Sequence, residues 1–475
     1  MADLLLEGTE SAGDEESDES TQLHVEGSRS HHGSSKHLKT NILMSSVAAL
    51  FIFAAFTSLQ NLQSSLNADQ GLGTICLSIL YGAVCVGSLL IAPPLVGTLR
   101  PKWTLFVGFL CHLAFTGSNY YPRTFSLIPA CFLLGAATGP LWASINTYLT
   151  TCSMRIAKID GVDGEVVLQR YNGIFFTIFQ SAQIIGNLIS SLVFQFGGSE
   201  NRNLSNISDV ISCSSNGTSD SLEVSNSVKY ILLSIFMGFQ VAGVLLLVFG
   251  VKSLSRLGLG AKSFLCSGQN AFDFVKSVFK LHWQDHRLLL LIPITMYSGL
   301  EQAYIAGEYT KYFITDCLGI TLIGYVIIVY GIVDAVTSFL CGRLAKHVGR
   351  LPIILSGATL NLALILFLLF WSRSPNRAIL FSVAALWGIV DAVSNTQTVA
   401  MYGVLFTDKQ EAAFGSYRFW QGIGFSLSFA YSDALKNSMS VKLGMLLGWL
   451  VLAILLYSFM EMIERRKGKQ KKAFQ

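Results

Sequence analysis

Long runs of apolar residues recur along this chain and are separated by short polar stretches. A helix that crosses the hydrocarbon core of a bilayer needs about 20 mostly apolar residues, and the runs have this length. The pattern therefore predicts an all-α membrane protein with twelve transmembrane helices. The predicted spans are residues 42–66, 71–95, 103–121, 124–149, 171–196, 229–251, 288–312, 320–342, 351–371, 377–405, 411–434 and 440–462.

The composition supports this prediction. Hydrophobic residues make up 52% of the 475 residues and charged residues only 13%, whereas soluble domains carry about 25% charged residues. A soluble protein would have to bury all twelve runs in one core, so we set that alternative aside.

Charge and glycosylation signals agree on one topology. Lys and Arg are concentrated on the flanks that share a side with the N-terminus, and cytoplasmic flanks retain positive charge, so both termini are predicted to be cytoplasmic. The loop at 197–228 falls on the other side and contains three N-x-S/T sequons, at Asn203, Asn206 and Asn216. Sequons are modified only on the lumenal side, and we predict glycosylation at these positions.

The spans divide into two six-helix bundles, residues 37–251 and 288–463. Between them, residues 252–287 carry apolar side chains at helical spacing, which predicts an amphipathic helix on the cytoplasmic membrane face. Residues 1–36 are acidic and Ser-rich and are predicted to be a disordered cytoplasmic tail. Residues 464–475 form a basic cytoplasmic tail.

The two halves are similar in sequence. TSLQNLQSSLNADQGLGTICLSILYG joins spans one and two, and YSGLEQAYIAGEYTKYFITDCLGITLIGYVIIVYG joins spans seven and eight. Internal duplication of this kind is typical of transporter folds, whose sites lie near the membrane midplane where the repeats meet.

Longer motifs point to a family. GRLAKHVGR, residues 342–350, resembles the cytoplasmic loop signature of the major facilitator superfamily, with Lys346 where that pattern has an acidic residue. SLQNLQSSLN, GPLWASINTYLT, RYNGIFFTIFQSAQIIGNLISSLVF and EAAFGSYRFWQGIGFSLSFAYS resemble the uncoordinated-93 (unc-93) family, a divergent branch of that superfamily. Within the family, the chain is most similar to the homologue A type.

The resemblance implies the major facilitator superfamily fold of two six-helix bundles in the plasma membrane. It leaves two activities open. One is alternating-access transport of a small polar or cationic solute. The other is a regulatory or trafficking partnership with a membrane channel, a potassium channel above all, or with a receptor.

Span seven carries the candidate site. Tyr297, Glu301, Tyr304 and Glu308 share one helix face, and in the superfamily fold spans one, four, seven and ten line the central cavity. A charged residue at the centre of a membrane helix costs at least about 2.5–3.5 kcal/mol, so this face should meet water or a partner. Glu301 either contacts a ligand or is a neutral, hydrogen-bonded carboxylic acid. Further cavity candidates on the other lining spans are Gln60, Asn61, Trp142, Asn146, Asp391 and Asn395.

Two more intramembrane charges have structural alternatives. Arg418 either forms an ion pair with Asp391 or Asp334 or contacts a ligand, and Asp334 is a packing or gating candidate. Most of the nine cysteines lie in spans, where we interpret them as small apolar residues. Cys213 and Cys317 lie near the outer side, where a disulfide between them is an open alternative.

Other classes of function receive no support. The sequence contains no phosphate-binding loop, zinc-protease motif, nucleophile elbow or clustered metal ligands, so we predict no enzyme, no cofactor and no metal site. The net charge of +4 comes from membrane flanks, and nucleic-acid binding is not expected. The partners that the sequence predicts are the lipid bilayer, a solute, and a channel or receptor.

Overall fold

A computed structural model describes residues 13–197, 225–254, 271–406, 409–435 and 438–473. The three sequons and Cys213 lie outside these residues. Side chains are also not described for residues 13–34, 165, 169, 271, 342, 343, 345, 346, 410, 411 and 465–473.

The described part of the chain is helical and contains no strand. Three of its helices continue as π-helical segments: α2 through Gly87–Ile91, α6 through Leu246–Gly250, and α8 through Ile305–Thr315. The helices are α1 Gly13–Leu66, α2 Leu72–Val86, α3 Ala92–Ser118, α4 Thr124–Asp160, α5 Gly164–Gly197, α6 Asn226–Leu245, α7 Ala271–Gln284, α8 His286–Tyr304, α9 Asp316–Leu318, α10 Ile323–Val348, α11 Arg350–Phe370, α12 Arg377–Leu405, α13 Gln410–Ala434 and α14 Met439–Ala473.

Within the described residues, ten helical stretches are long and apolar enough to cross a membrane. This confirms the prediction of an all-α membrane protein. One stretch, Asp69–Ser118, contains two predicted spans, and its chain bends at Arg100, where φ is +65°. The polar helix α13 coincides with another predicted span but is not among the ten. The number twelve therefore stays a prediction.

Helix α1 contains the membrane-crossing stretch Ser35–Leu66. The backbone of residues 13–34 is helical, whereas the sequence analysis expects disorder in this acidic segment. Its composition offers no apolar stripe for packing, so the expected disorder of residues 1–36 stays a prediction.

The two halves repeat one packing scheme. In the N-terminal half, α1 packs against α5 and α6, and α2 against α4. In the C-terminal half, α8 packs against α13 and α14, and α10 against α12. The halves meet where α2 packs against α13, where α5 packs against α10, and where α1 packs against the π-helical end of α8. The two similar sequence halves thus form similar arrangements of packed helices.

Glycine permits several close contacts between helices, two of them made by α10. A Cβ atom on Gly324 of α10 would overlap the Asn187 carbonyl oxygen on α5, and one on Gly388 of α12 would lie 2.5 Å from the Tyr330 carbonyl oxygen on α10. Small residues allow helices in membranes to approach at backbone distance. These positions fix how α10 sits between the halves.

Hydrogen bonds connect the chain segments at each end of the bundle. At one end, Lys39 pairs with Asp160, and the Lys252 backbone N–H donates to Asn41. We call this end, which also carries α7 and the start of α8, the terminal face, and the other end, where Ser65 contacts Thr315, the opposite face.

Helix α7 lies within the predicted linker and packs against α13. His282 is buried on its inner side. Its Nε2 accepts a hydrogen bond from Trp420 Nε1 at 3.0 Å and is 3.1 Å from Ser416 Oγ, while its Nδ1 lies 2.8 Å from the Val278 carbonyl oxygen. An indole N–H only donates and a carbonyl only accepts, so the neutral imidazole with its proton on Nδ1 fits this site. On the outer side, Phe272 and Trp283 are 75% and 83% exposed.

Replacing His282 with Leu should lower the free energy of unfolding by about 1–3 kcal/mol, because a buried donor left without an acceptor costs that much. Trp420 Nε1 would lose the acceptor it has in the structure. Thermal unfolding of the purified protein in detergent measures the effect. His286→Leu is the matched control at the exposed start of α8, where we expect less than about 0.5 kcal/mol. Equal effects of the two variants would contradict this role of His282.

Candidate functional site

Glu301 is fully buried inside the C-terminal half. Its Oε1 accepts hydrogen bonds from Trp387 Nε1 on α12 at 2.8 Å and from Asn361 Nδ2 on α11 at 3.1 Å. The Asn361 amide also donates to the Tyr297 hydroxyl at 2.7 Å. Glu301 Oε2 has no hydrogen-bond partner among the described atoms.

Tyr304 points the same way: its hydroxyl donates to Met439 Sδ on α14 at 3.5 Å, and its ring centre is 5.6 Å from that of Trp387. The stripe formed by Tyr297, Glu301 and Tyr304 therefore contacts α11, α12 and α14 rather than the N-terminal half. That the stripe faces the central cavity stays a prediction. On the neighbouring face of α8, Ser298 and Gln302 donate hydrogen bonds to Asn395 Oδ1 of α12.

A second carboxylate, Asp391, lies at the centre of a polar network. Its Oδ2 accepts from the Tyr330 hydroxyl at 2.6 Å, and its Oδ1 accepts from Asn395 Nδ2 at 2.7 Å. Asn395 Oδ1 in turn accepts from Ser298 Oγ at 2.8 Å and from Gln302 Nε2 at 3.3 Å. Asp391 is 6% exposed, while Tyr330, Asn395 and Gln302 are only half-buried. We call these five residues the Asp391 network.

Helix α13 extends this network towards the terminal face. Gln421 Nε2 donates to Ser298 Oγ and to the Tyr417 hydroxyl, both at 3.3 Å. Arg418 is exposed; its Nη1 donates to Gln421 Oε1 at 3.1 Å, and its guanidinium carbon is 5.6 Å from the Tyr417 ring centre.

The alternatives for Arg418 and Asp334 stay predictions. Among the described side chains, the structure shows no ion pair between Arg418 and Asp391 or Asp334. Asp334 accepts from Ser338 Oγ on its own helix at 3.4 Å.

The N-terminal half contributes the remaining candidates. Gln60 Oε1 accepts from the Tyr81 hydroxyl at 3.0 Å, and the Tyr81 ring stacks on Phe425 of α13 with centres 4.1 Å apart. Gln60 thus lies where the halves meet. Asn61 is buried and donates to Asn187 Oδ1 at 3.3 Å.

Trp142 and Asn146 lie on α4. Trp142 packs against Phe53 and Phe179, with ring centres 5.5 and 5.1 Å apart, whereas Asn146 is exposed. Trp142 therefore belongs to the aromatic core of the N-terminal half, whereas the side chain of Asn146 lies on the surface of α4.

Hydrogen bonds between neutral groups join the two halves. Ser65 and Thr315 hydroxyls are 2.9 Å apart, and Tyr325 donates to Gln195 Oε1 at 2.8 Å. Ser78 donates to the Ser426 carbonyl oxygen at 2.8 Å. Lys39 pairs with Asp160 inside the N-terminal half, and Arg373 pairs with Asp316 and Lys442 with Glu308 inside the C-terminal half.

The structure contains a buried ion pair that was not predicted from the sequence. Glu308 Oε1 accepts hydrogen bonds from Lys442 Nζ on α14 at 2.8 Å and from Ser432 on α13. The side chains are 8% and 3% exposed. From the sequence, Lys442 is a charge that flanks a span. Lys442 is the fourth residue of α14 and lies inside the predicted span 440–462. A lysine inside a predicted span is the signal that could have revealed this buried ion pair.

A disulfide also differs from expectation. Cys76 on α2 and Cys131 on α4 are bonded, with Cα atoms 5.9 Å apart, where the sequence analysis expects small apolar residues. Cys317 is disulfide-bonded as well. Because Cys213 is outside the described residues, the Cys213–Cys317 pairing stays a prediction. Among the described residues, no group of three or more metal-ligating side chains forms a metal site.

The family model described as "Ion channel regulatory protein UNC-93" matches residues 65–457. Protein unc-93 homolog A of Xenopus laevis is 39% identical over 441 residues, which are 90% of this chain and 94% of that protein. The putative potassium channel regulatory protein unc-93 of Caenorhabditis elegans is 30% identical over 447 residues, 90% of this chain and 61% of that protein.

A solved structure confirms the fold class. The nucleoside transporter NupG superposes with a TM-score of 0.64 at 12% sequence identity, covering 88% of this chain and 98% of that one. At this identity the likeness shows the fold alone, which is that of the major facilitator superfamily, as the sequence analysis predicts. The family match covers most of the chain, and the chain belongs to the UNC-93 family.

Proposed function

We propose that this protein carries a small polar or cationic solute through the contact region between its two halves, with Asp391 as the carboxylate that meets the solute. The observation that carries the proposal is the Asp391 network. It joins α8, α10 and α12 within the C-terminal half. Of these helices, α10 also packs against α5 of the N-terminal half. Its half-buried amides offer further donors and acceptors beside the carboxylate.

The charge of the network selects the class of solute. Each carboxylate oxygen accepts one hydrogen bond and retains further lone-pair capacity. The exposed Arg418 sits at the edge of the network and donates to an amide, not to this carboxylate. A cation or a hydrogen-bond donor therefore complements Asp391, whereas an anion would be repelled.

The neutral contacts between the halves suit a protein that alternates between conformations. Separating hydroxyl and amide groups, such as Ser65 from Thr315, leaves no unpaired buried charge, and leaving such a charge is far more costly than losing a neutral hydrogen bond. The internal repeat of helix neighbours supports movement of one half against the other.

The proposal includes the location and topology. Lys and Arg concentrate on the flanks of the terminal face, which supports cytoplasmic termini, and we propose that the protein lies in the plasma membrane. The loop with Asn203, Asn206 and Asn216 would then be lumenal and glycosylated.

A regulatory partnership with a membrane channel is the second candidate function. The description of the family as ion channel regulatory favours it, as does the name of the Caenorhabditis elegans relative, which refers to a potassium channel. In that case the Asp391 network would stabilise the C-terminal half, and the protein would carry no flux of its own.

Uptake and membrane current in cells that express the protein at the surface separate the two candidates. The solutes are a panel of radiolabelled amines, nucleosides and neutral polar compounds, and untransfected cells are the control. Transport predicts flux above the control for at least one solute. If no solute moves and only the current of a co-expressed potassium channel changes, the regulatory function replaces the proposal.

Cross-linking the opposite face tests the conformational cycle directly. In the double variant Ser65→Cys and Thr315→Cys, the new thiols would lie where two hydroxyls are now 2.9 Å apart. We expect oxidation with copper phenanthroline to abolish flux and a reducing agent to restore it, because the halves could no longer separate there. The single-cysteine variants and the wild type are the controls. Full flux in the cross-linked protein would contradict alternating access at this face.

A further inference from the structure

Helix α7 exposes three large aromatic side chains on one line along its surface. Phe272, Phe279 and Trp283 are 75%, 41% and 83% exposed. Successive residues of an α-helix are about 100° apart around its axis, so these three positions fall within about 40° of one another. We call them the aromatic edge of α7. Apolar groups that are exposed together mark a surface that meets a membrane or another protein.

The aromatic edge lies between a packed flank and a polar flank of the same helix. On the packed flank, His282 is buried against α13. On the polar flank, Lys276, Lys280 and Gln284 are exposed, and Gln284 Oε1 accepts a hydrogen bond from Lys409 Nζ at 2.8 Å. A helix with one flank on protein, a second that is polar and an apolar edge between them fits the boundary between lipid and water.

The chain holds the end of α7 beside a helix that is able to cross the membrane. Helix α7 ends at Gln284 and α8 begins at His286, and the stretch His286–Leu318 is long and apolar enough to span a bilayer. Asp285, between the two helices, caps α8 by accepting from the Arg287 backbone N–H at 3.0 Å. Trp283 therefore lies just before the point where α8 enters the membrane, and tryptophan is enriched at that interface.

The charge beside the aromatic edge is positive. Around the helix, Lys276 lies about 20° and Lys280 about 60° beyond Trp283, whereas the acidic Asp273 lies further round, at about 80°. A lysine keeps its apolar stem along apolar surface and extends its ammonium group to the polar boundary. The two ammonium groups next to the edge complement headgroups of net negative charge.

We propose that the aromatic edge of α7 docks on the bilayer surface at the terminal face, and that Lys276 and Lys280 bind anionic phospholipid headgroups there. Phe272, Phe279 and Trp283 would lie at the level of the glycerol and first acyl carbons. A choline headgroup brings its own positive charge and gains less from the two lysines. The amphipathic pattern of residues 252–287 does not identify the residues that meet lipid, because it leaves open which flank packs on protein. The proposal requires neither transport nor channel regulation.

Fluorescence quenching in lipid nanodiscs that contain phosphatidylserine tests the contact with lipid. A bimane probe is attached to Trp283→Cys on the aromatic edge or to its neighbour Gln284→Cys on the polar flank, and the discs contain phospholipids with nitroxide-labelled acyl chains. We expect at least threefold stronger quenching at position 283 than at position 284. The labelled wild type measures the background from native cysteines, and size-exclusion chromatography verifies that each variant is folded. Equal quenching at the two positions would overturn the proposal and show an edge that faces water.

A second arm tests the class of lipid. Phosphatidylcholine discs receive the same small share of nitroxide-labelled phosphatidylserine or nitroxide-labelled phosphatidylcholine, and the probe is at position 283. One lysine near an anionic surface supplies about a fivefold preference, so we expect at least this ratio in favour of phosphatidylserine. Adding Lys276→Gln and Lys280→Gln should bring the ratio close to one.

The matched control for the second arm is Lys36→Gln with Lys158→Gln, which removes two other exposed lysines of the terminal face. It should keep the ratio measured with both α7 lysines present. Equal quenching by the two lipids, or a ratio that Lys276→Gln and Lys280→Gln leave unchanged, would overturn the assignment of anionic lipid to α7.

Discussion

Replacing Asp391 with Asn is expected to reduce solute flux at least tenfold at equal surface level. The amide keeps the shape of the side chain and accepts from Tyr330 or Asn395 at one oxygen, but the charge is lost and its second position becomes a donor. A hydrogen bond to a charged group contributes about 1.5–3 kcal/mol, and each 1.4 kcal/mol is a factor of ten. Initial uptake rates of the best solute in the panel measure the loss.

Glu301→Gln is the matched control for this prediction. Glu301 is buried among α8, α11 and α12, and its Oε1 accepts from Trp387 and Asn361. Gln retains that acceptor and can donate from the other position, so flux should stay within about twofold of the wild type, a difference below 0.5 kcal/mol. If Glu301→Gln abolishes flux while Asp391→Asn preserves it, the stripe of Tyr297, Glu301 and Tyr304 is the site after all.

Glu301 and Asp391 differ in how much of their surroundings could be predicted from the sequence. The apolar runs predict where membrane helices lie, because length and hydropathy are local properties of the chain. Helical periodicity also predicts correctly that Tyr297, Glu301 and Tyr304 share a face. It does not tell which neighbours that face meets. Helix α8 is polar on two sides, and Ser298 and Gln302, each one residue from a member of the stripe, belong to the Asp391 network.

Long-range pairs lie beyond the sequence for a related reason. Lys442 and Glu308 are 134 residues apart, and Cys76 and Cys131 are 55 residues apart. Their meeting depends on how whole helices pack, not on local pattern. Gln60 lies on the first of the spans that the superfamily resemblance assigns to the cavity lining, and the structure finds it beside Tyr81, whose ring stacks on Phe425 where the halves meet. Its contact with a cavity stays a prediction.

The buried ion pair gives the largest expected effect on stability. Lys442→Met removes the ammonium from a site where its side chain is 3% exposed, and it leaves the Glu308 carboxylate in an apolar surrounding with Ser432 as its remaining donor. Removing one partner of a buried pair costs about 3–5 kcal/mol. We expect a correspondingly large fall in the free energy of unfolding, measured by thermal unfolding of the purified protein in detergent.

Two further variants identify the cause of that loss. In the double variant Glu308→Gln and Lys442→Met no charge remains, so most of the stability should return, because an uncharged replacement of a buried pair is often close to neutral. Lys39→Met breaks the pair with Asp160, whose side chains are 41% and 28% exposed, and it should cost less than about 1 kcal/mol. If the double variant is as unstable as Lys442→Met alone, packing around the lysine stem, rather than the unpaired carboxylate, holds α14 against α8.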